Sequence, residues 1–287
     1  MKHIVKRTSL LAVLALAMVG GNVLAHEEPF GYLRGAQSEP KGEWELTQWT
    51  TGRIGKESGR YLGLDLATEL EYGVTDRFQV AAYLLTDYHF LQGAAGGRET
   101  FADRDRFGLN GTSLEMKYQV FNPYQDRVGL SLYFEPGYRT IKRVGGGRQD
   151  ELELETKLIV QKNFLENRLL AVFNYTIEPE LEKESGEDWE SGLAMDWGAG
   201  LSWRIAPNWF VGAEARLDTE FADSDLDQAE FLTLFAGPTV HYSGEHFYAT
   251  LTVLPQVWGW PDARGTGGLH LDDRERLEIR FKLGTEF

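Results

Sequence analysis

Cysteine is absent from the 287 residues of the chain, which excludes disulfides and thiolate chemistry. This absence suits a polypeptide that crosses an oxidising compartment before it folds. Basic residues are also scarce, with 29 Lys and Arg against 44 Asp and Glu. We therefore do not expect the protein to bind nucleic acid or acidic lipid through a basic surface.

Long apolar runs are missing after the first 25 residues, and the mean hydropathy is −0.35. A bundle of lipid-exposed helices is excluded, because such helices must be apolar on all sides. The single apolar run, residues 10–19, follows Lys2, Lys6 and Arg7. It is about half as long as a membrane-spanning helix and precedes the small-residue pattern 23–25. We predict a secretory signal peptide, residues 1–25, cleaved after Ala25.

The last eleven residues alternate between apolar and polar side chains and end on Phe287. Successive side chains of a strand point to opposite faces, so one face carries Leu277, Ile279, Phe281 and Leu283 and the other Glu278, Arg280, Lys282 and Glu286. A terminal strand of this kind resembles the signal by which bacterial outer-membrane β-barrels are recognised by their insertion machinery. The resemblance implies the lipid bilayer and that machinery as partners.

Five short segments rich in turn-forming residues divide the chain at intervals of about 40 residues: 73–77, 122–127, 163–168, 206–208 and 243–246. Longer polar stretches alternate with them: 52–60, 89–109, 141–150, 179–190, 219–229 and 259–273. This pattern predicts an all-β fold, a closed antiparallel transmembrane β-barrel of about 12 strands with short periplasmic turns and longer extracellular loops. Alternating segments of about 11 to 14 residues favour membrane strands over a soluble β-sandwich.

The predicted domains are the signal peptide, a periplasmic lead-in segment at 26–41 that is too short for a folded plug domain, and the barrel at 42–287. Aromatic residues near the short turns are expected to form an interfacial belt. Pro136, Pro238 and Pro255 are expected to coincide with bulges or strand ends. A loop centred on residue 145 would place Arg139 opposite Glu151, and a turn centred on residue 206 would oppose two tryptophans, Trp203 and Trp209.

Residues 66–80, LATELEYGVTDRFQV, resemble a hairpin common in outer-membrane barrels of the phenol meta-pathway type. Two further stretches, HEEPFGYLRGAQ and KGEWELTQWTTGRIGKESGRY, are similar to a related, functionally uncharacterised group of Gram-negative barrels. The resemblance implies the barrel fold, a location in the outer membrane and a role in transport. It brings no catalytic motif.

Many ionisable side chains fall on the polar face of the predicted strands. Buried charges must be paired or hydrated, so the barrel lumen is either sealed by ion pairs or filled with water. The predicted lumen-lining residues are Glu69, Glu71, Glu115, Lys117, Glu135, Arg139, Glu151, Glu153, Glu155, Lys157, Asp196, Arg204, Glu214, Arg216, Asp218, Glu278, Arg280 and Lys282.

Acidic residues crowd two of the predicted outer loops: Glu178, Glu180, Glu182, Glu184, Glu187, Asp188 and Glu190, and Glu220, Asp223, Asp225, Asp227 and Glu230. An acidic channel mouth favours cationic solutes or holds calcium or magnesium. The alternative is a solvated loop that keeps the surface soluble. The acid spacing does not match a defined calcium loop, so we predict no metal site and no cofactor.

The sequence favours a passive, porin-like channel for small hydrophilic or cationic solutes. One alternative is a structural or surface-interaction barrel with a sealed lumen. Another is an outer-membrane hydrolase with rim carboxylates and histidines, for which the candidates are Asp87, His89, Asp103, Asp105, His270, Asp272 and Asp273. No serine has the surroundings expected of a lipase, and we do not expect an enzyme.

Overall fold

The computed structural model describes residues 28–184, 186–222, 226, 229–262 and 267–287, so the predicted signal peptide lies outside the described residues. Twelve strands occur within these ranges: β1 (Trp44–Ile54), β2 (Ser58–Thr75), β3 (Phe78–Ala95), β4 (Arg104–Phe121), β5 (Gly129–Ile141), β6 (Arg148–Phe164), β7 (Leu169–Glu184), β8 (Glu190–Ala206), β9 (Trp209–Ala222), β10 (Ala229–Ser243), β11 (Tyr248–Trp260) and β12 (Leu277–Glu286). They form one closed antiparallel barrel, which confirms the predicted fold. In the part of the chain described, no helix is long and apolar enough to span a bilayer.

The barrel closes by pairing its first strand with its last. Glu45 lies opposite Glu286 at one end of this seam and Ile54 opposite Leu277 at the other. The terminal residue takes part, because Trp44 and Phe287 exchange two backbone hydrogen bonds of 3.1 and 2.9 Å. Closure leaves no strand edge, and lipid tolerates no unpaired backbone group.

The two faces of each strand differ as the alternation predicts. On β4, the side chains of Leu114 and Tyr118 are 58% and 48% exposed on the outer surface. Between them, Glu115 and Lys117 point inward and are each 1% exposed. Apolar side chains outside and charged side chains inside are the reverse of a soluble protein, and this arrangement is that of a membrane barrel.

Most strands run further than expected, so five of the six outer loops are shorter than predicted. The strands span 10 to 18 residues, and the stretches between them on the long-loop side are 55–57, 96–103, 142–147, 185–189, 223–228 and 261–276, of which only the last is not shorter than predicted. Polar residues at the expected loop edges, such as Arg104 and Glu180, continue the strand pairing beyond the apolar band. The predicted loop boundaries are therefore wrong, although the number of loops is confirmed.

Proline does not interrupt the strands as expected. β5, β10 and β11 continue through Pro136, Pro238 and Pro255 with no register shift at the prolines themselves. The expectation of bulges or strand ends is wrong at Pro136 and Pro238, whereas at Pro255 the pairing with β12 ends and a register shift with β10 lies between Gln256 and Trp258. Pairing is lost with one neighbouring strand only, since β4 and β5 do not pair at Pro136 and β10 and β11 do not pair between 236–238 and 253–255. Proline lacks one N–H group, which costs the ladder bonds on one side.

The two register predictions had different outcomes. Arg139 lies opposite Glu151, as predicted. Trp203 instead lies opposite Val211, and Trp209 opposite Ala206. The prediction failed because the turn consists of residues 207–208 and a register shift lies between Arg204 and Ala206. A one-residue shift in a turn changes every pair of the hairpin.

Aromatic residues surround the short-turn end of the barrel. Trp44 and Tyr72 have ring centroids 4.5 Å apart, and Tyr242 lies 5.0 Å from Trp209 and 5.4 Å from Phe247. Trp209 and Phe247 are 46% and 47% exposed. Rings of this kind occupy the boundary between lipid and water.

At the other end, the β1–β2 loop is tied to the long β11–β12 loop by Lys56. Its ammonium donates to the carbonyl oxygens of Asp272 and Arg274 at 2.8 and 2.9 Å and stands over the rings of Tyr61 and Phe101. Burial lowers the pKa of Lys56 to about 8, although the nearby Glu275 carboxylate acts in the opposite direction.

This pKa predicts a pH-dependent stability. Between pH 8 and 10.5 the unfolded chain still holds the proton that folded Lys56 has released, so the free energy of unfolding rises with pH in this window. Lys56→Met removes the titrating amine and should reduce that rise by up to about 3 kcal/mol. Urea unfolding of the barrel in detergent between pH 7 and 11 measures the difference.

The control is Lys41→Met, which replaces an exposed lysine outside the barrel wall. Its pH dependence should match that of the wild-type protein. Identical curves for Lys56→Met and the wild-type protein would show that Lys56 does not titrate in this range.

Candidate functional site: the barrel lumen

Residues 28–40, called here the N-terminal segment, lie inside the barrel. Phe30, Leu33 and Ala36 are at most 2% exposed. Phe30 and Leu33 pack on Val172, while Ala36 packs on a second pair, Tyr133 and Ile159. This position differs from the periplasmic one expected from the sequence. The physical reason is the width of the lumen. The side chains of an eight-stranded barrel fill its interior, whereas a ring of twelve strands leaves space for a further segment of the chain.

The backbone of the N-terminal segment is held by side chains of the barrel wall. Glu214 accepts hydrogen bonds from the amides of residues 31 and 32, at 2.7 and 2.8 Å. Further amides donate to side-chain oxygens at 2.7 to 2.9 Å: Arg34 to Asn174, Ala36 to Gln161, Ser38 to Gln119, and Glu39 to Gln79. The acceptors belong to β9, β7, β6, β4 and β3. The segment therefore crosses the strands along the inner wall.

Sequence reasoning missed four of these five acceptors. Gln79, Gln119, Gln161 and Asn174 point inward, but they carry no charge, and only ionisable residues were selected. Each lies within five residues of a strand end at a short turn. A row of inward amide side chains near the short turns indicates that a chain segment binds there through its backbone, since an amide oxygen is a neutral acceptor for an N–H group.

Arg34, which belongs to the N-terminal segment, is the centre of a network of charged and polar side chains of the barrel wall. Its guanidinium lies 3.1 Å from the Glu69 carboxylate and 2.9 Å from that of Glu115, and it stands 4.6 Å over the Trp49 ring. The Tyr83 hydroxyl donates to Glu115 at 2.6 Å and also contacts Glu69 and Arg34. These buried charges compensate one another.

The long-loop half of the lumen is hollow. It contains cavities of about 380 and 230 Å³, both lined by Tyr32, Glu178 and Arg280. The acidic lining residues are Asp65, Asp87, Glu135, Glu151, Glu153, Glu155, Glu178, Glu180, Asp196, Asp218 and Glu220. Fewer basic residues line them: Arg34, Arg139, Arg143, Lys157, Arg216, Arg274 and Arg280. Such a cavity takes up water and is a site for small polar solutes.

Most of the basic side chains in the cavity wall are paired. The short ion pairs, between 2.6 and 3.2 Å, are Arg139 with Glu153, Lys157 with Glu155, Arg216 with Asp218 and Glu278, Arg143 with Glu275 and Glu278, and Arg274 with Glu220. The remaining carboxylates include Glu151, Glu178 and Glu180 on the neighbouring strands β6 and β7. The cavity therefore has an acidic side.

The structure places the eighteen predicted lumen residues on the inner side of the wall, buried or half-buried. Many of them line the cavities, and the Arg34 network adjoins the larger cavity, because Arg34 itself lines it. Arg204 stands apart near a short turn, 4.8 Å over the Phe210 ring, and Glu214 holds the N-terminal segment. A role of these residues in solute passage stays a prediction.

The acidic outer loops differ from the expectation. Glu178, Glu180, Glu182 and Glu184 belong to β7, Glu190 to β8, Glu220 to β9 and Glu230 to β10, while Asp223, Asp225 and Asp227 lie outside the described residues. Two carboxylate triplets within 4.8 Å occur elsewhere, Glu39 with Glu45 and Glu286, and Glu69 with Glu71 and Glu115. Two members of the second triplet already bind Arg34.

The candidate hydrolytic residues do not converge. Asp87 lies in the lumen wall, where it accepts a hydrogen bond from Asn110, and His89 is 3.8 Å away. His270 contacts Asp273 at 2.8 Å and the Pro261 carbonyl oxygen, within the β11–β12 loop. The others serve loop backbones or the outer surface: Asp103 accepts from Gly93, Asp272 from Arg98, and Asp105 from the Tyr88 hydroxyl.

Comparison with known proteins agrees with a membrane barrel. The fold is similar to an outer membrane channel from Pseudomonas putida F1, with a TM-score of 0.60, 11% identity and coverage of 88% of this chain and 98% of that one. It is also similar to the porin NanC, with a TM-score of 0.50, 9% identity and coverage of 84% and 98%. LpxR from Salmonella typhimurium follows at 0.46, 10%, 84% and 99%. At these identities the likeness shows the fold alone.

The Pseudomonas putida channel and NanC confirm the predicted resemblance to bacterial outer-membrane barrels, and the fold implies that the protein is embedded in a bilayer. No curated protein matches the sequence. A family model described as "Family of unknown function (DUF6662)" matches residues 22–287. This match covers nearly the whole chain, and the protein therefore belongs to this family of unknown function.

Proposed function

We propose that the protein is an outer-membrane channel for small hydrophilic solutes, with a preference for cations. The observation that carries this proposal is the charged cavity of about 380 Å³ in the long-loop half of the lumen. Walls of this charge density need water, and water that reaches them admits small solutes. Secretion by the signal peptide, cleavage after Ala25 and insertion through the C-terminal strand belong to the same proposal.

The N-terminal segment fills the short-turn half of the lumen, so solute passage requires that it moves out of that half. The wall beneath it is polar, with buried side chains that include Thr47, Gln79, Gln119, Ser131 and Thr250. Water can replace the hydrogen bonds of the segment to such a wall at small net cost. The preference for cations follows from the excess of carboxylates around the cavity.

The main alternative is a barrel with a permanently sealed lumen, favoured by the complete burial of the inner wall around the N-terminal segment. A hydrolase is weaker, because the two Asp–His contacts lie on different elements, Asp87 with His89 on β3 and His270 with Asp273 in the β11–β12 loop, and the other candidate carboxylates bind loop backbones or an outer tyrosine. Conductance distinguishes the channel from the sealed barrel, since a sealed barrel gives no current steps in a planar bilayer.

A reversible cross-link tests the role of the N-terminal segment. A Cβ atom at Gly198 would lie 3.8 Å from Leu33 Cγ, close to the position of a cysteine sulfur at residue 33. The chain has no other cysteine to interfere. In the double variant Leu33→Cys/Gly198→Cys, oxidation should abolish current steps and a reductant should restore them to the wild-type frequency.

The single variants Leu33→Cys and Gly198→Cys are the controls and should not respond to oxidation. Unchanged current in the oxidised double variant would exclude the segment as the barrier. Absence of current under all conditions, with a correctly folded barrel, would favour the sealed alternative.

The preference for cations is tested by the reversal potential in a KCl gradient. Glu178→Gln/Glu180→Gln removes two carboxylates from the cavity wall and should shift the reversal potential towards zero. The matched control Glu187→Gln/Glu190→Gln removes two exposed carboxylates at the outer rim and should shift it much less. An equal shift in both variants would assign selectivity to the rim instead of the cavity.

A further inference from the structure

Arg280 differs from the other basic side chains of the cavity. Its Nε donates to Thr51 Oγ1 at 2.8 Å and its Nη1 to the carbonyl oxygen of Gly31 at 3.4 Å. The guanidinium stands 4.0 Å over the Tyr32 ring and 5.4 Å from that of Trp49. Within the described ranges, no carboxylate lies within 4.0 Å of it, whereas Arg139, Arg143 and Arg216 each have one.

An arginine in this position has unused binding capacity. A guanidinium has five N–H donors in a planar fork, and the two hydrogen bonds of Arg280 leave the Nη2 side uncommitted. The aromatic rings behind it hold the plane in one orientation. Such a group is suited to bind a carboxylate in two-point fashion from the cavity.

Carboxylates without a basic partner lie on the other side of the same cavity. Glu178 and Glu180 on β7 have no Lys or Arg nitrogen within 4.0 Å among the residues that the structure describes. β7 and β12 are five strands apart in a ring of twelve, so the two strands face each other almost directly. Both strands line the cavity of about 380 Å³, together with Tyr32.

We propose that this cavity binds small zwitterions, amino acids or short peptides, with the carboxylate on Arg280 and the ammonium on Glu178 and Glu180. The cavity volume is at the lower end of the range for ligand sites, which fits a solute of this size. The inference rests on the proposed function, in that the cavity lies on the solute path. It narrows the solute class from small hydrophilic solutes to molecules that carry both charges.

Both charges are needed for a favourable fit. A simple anion gains the Arg280 contact but faces the unpaired carboxylates of β7. A simple cation gains those carboxylates and leaves Arg280 without a partner. A zwitterion satisfies both walls and adds no net charge to the cavity.

Equilibrium binding to the folded full-length chain in detergent tests the site without requiring conduction. Calorimetric titration would use three probes of similar size: diglycine as the zwitterion, diglycine amide as the cation and N-acetylglycine as the anion. Diglycine should bind at least about tenfold more tightly than either of the others, because it alone makes both charged contacts.

Two variants test the contacts to the carboxylate and to the ammonium of the ligand separately. Arg280→Gln should weaken diglycine and N-acetylglycine about tenfold and leave diglycine amide unchanged. Glu178→Gln/Glu180→Gln should weaken diglycine and diglycine amide and leave N-acetylglycine unchanged. The matched control is Lys142→Gln, which removes the same charge from the long-loop end of the barrel, but from a lysine outside the cavity lining that pairs with Glu184 at 2.6 Å. Its diglycine affinity should stay within about twofold of the wild-type value.

Equal affinity for the three probes would overturn the proposal, as would an equal loss in Lys142→Gln and Arg280→Gln, which would reveal an effect of net charge alone. The outcome for the channel is separate. Preferential diglycine binding by a chain that never conducts would refute the channel and leave the site, whereas conduction without that preference would refute the site.

Discussion

Closure of the sheet between β1 and β12 is the constraint on which the rest of the structure depends. In lipid every backbone N–H and C=O must be paired within the protein, and the pairing of residues 45–54 with 277–286 leaves no free edge. Once the ring is closed, the two-residue period sends every second side chain into the lumen. The acidic composition of the chain is therefore concentrated inside, where charges must be paired or hydrated.

The two halves of the lumen meet this requirement differently. At the short-turn end, the N-terminal segment fills the space, and the wall satisfies its amides with Glu214, Asn174 and three glutamines. At the long-loop end, ion pairs neutralise most of the arginines and leave a cavity with carboxylates in excess. Tyr32 lies at the boundary, because it belongs to the segment and lines the cavity. A change in the position of the segment would therefore alter the cavity as well.

The sequence was sufficient for features that depend on period and spacing. Strand number, the inward face and the opposition of Arg139 and Glu151 follow from alternation and from the centre of a loop. The predicted register of Trp203 was wrong because the composition of a turn does not reveal its length to within one residue. The place of the N-terminal segment depends on contacts such as that of residue 31 with Glu214, 183 positions away. Local sequence patterns do not predict contacts between residues so far apart in the chain. The neutral amide side chains that bind the segment cannot be recognised by their charge.

The separation of a hydrated inner face from a lipid-facing outer face is tested most directly by cysteine labelling. Lys157 and Leu158 are neighbours on β6, one lining the cavity and the other on the outer surface. The measurement is the rate at which a small, membrane-impermeant thiol reagent modifies Lys157→Cys and Leu158→Cys in intact cells. Fast modification at residue 157 and none at residue 158 is the predicted result. The reverse order, or equal rates, would contradict the assignment of the two faces.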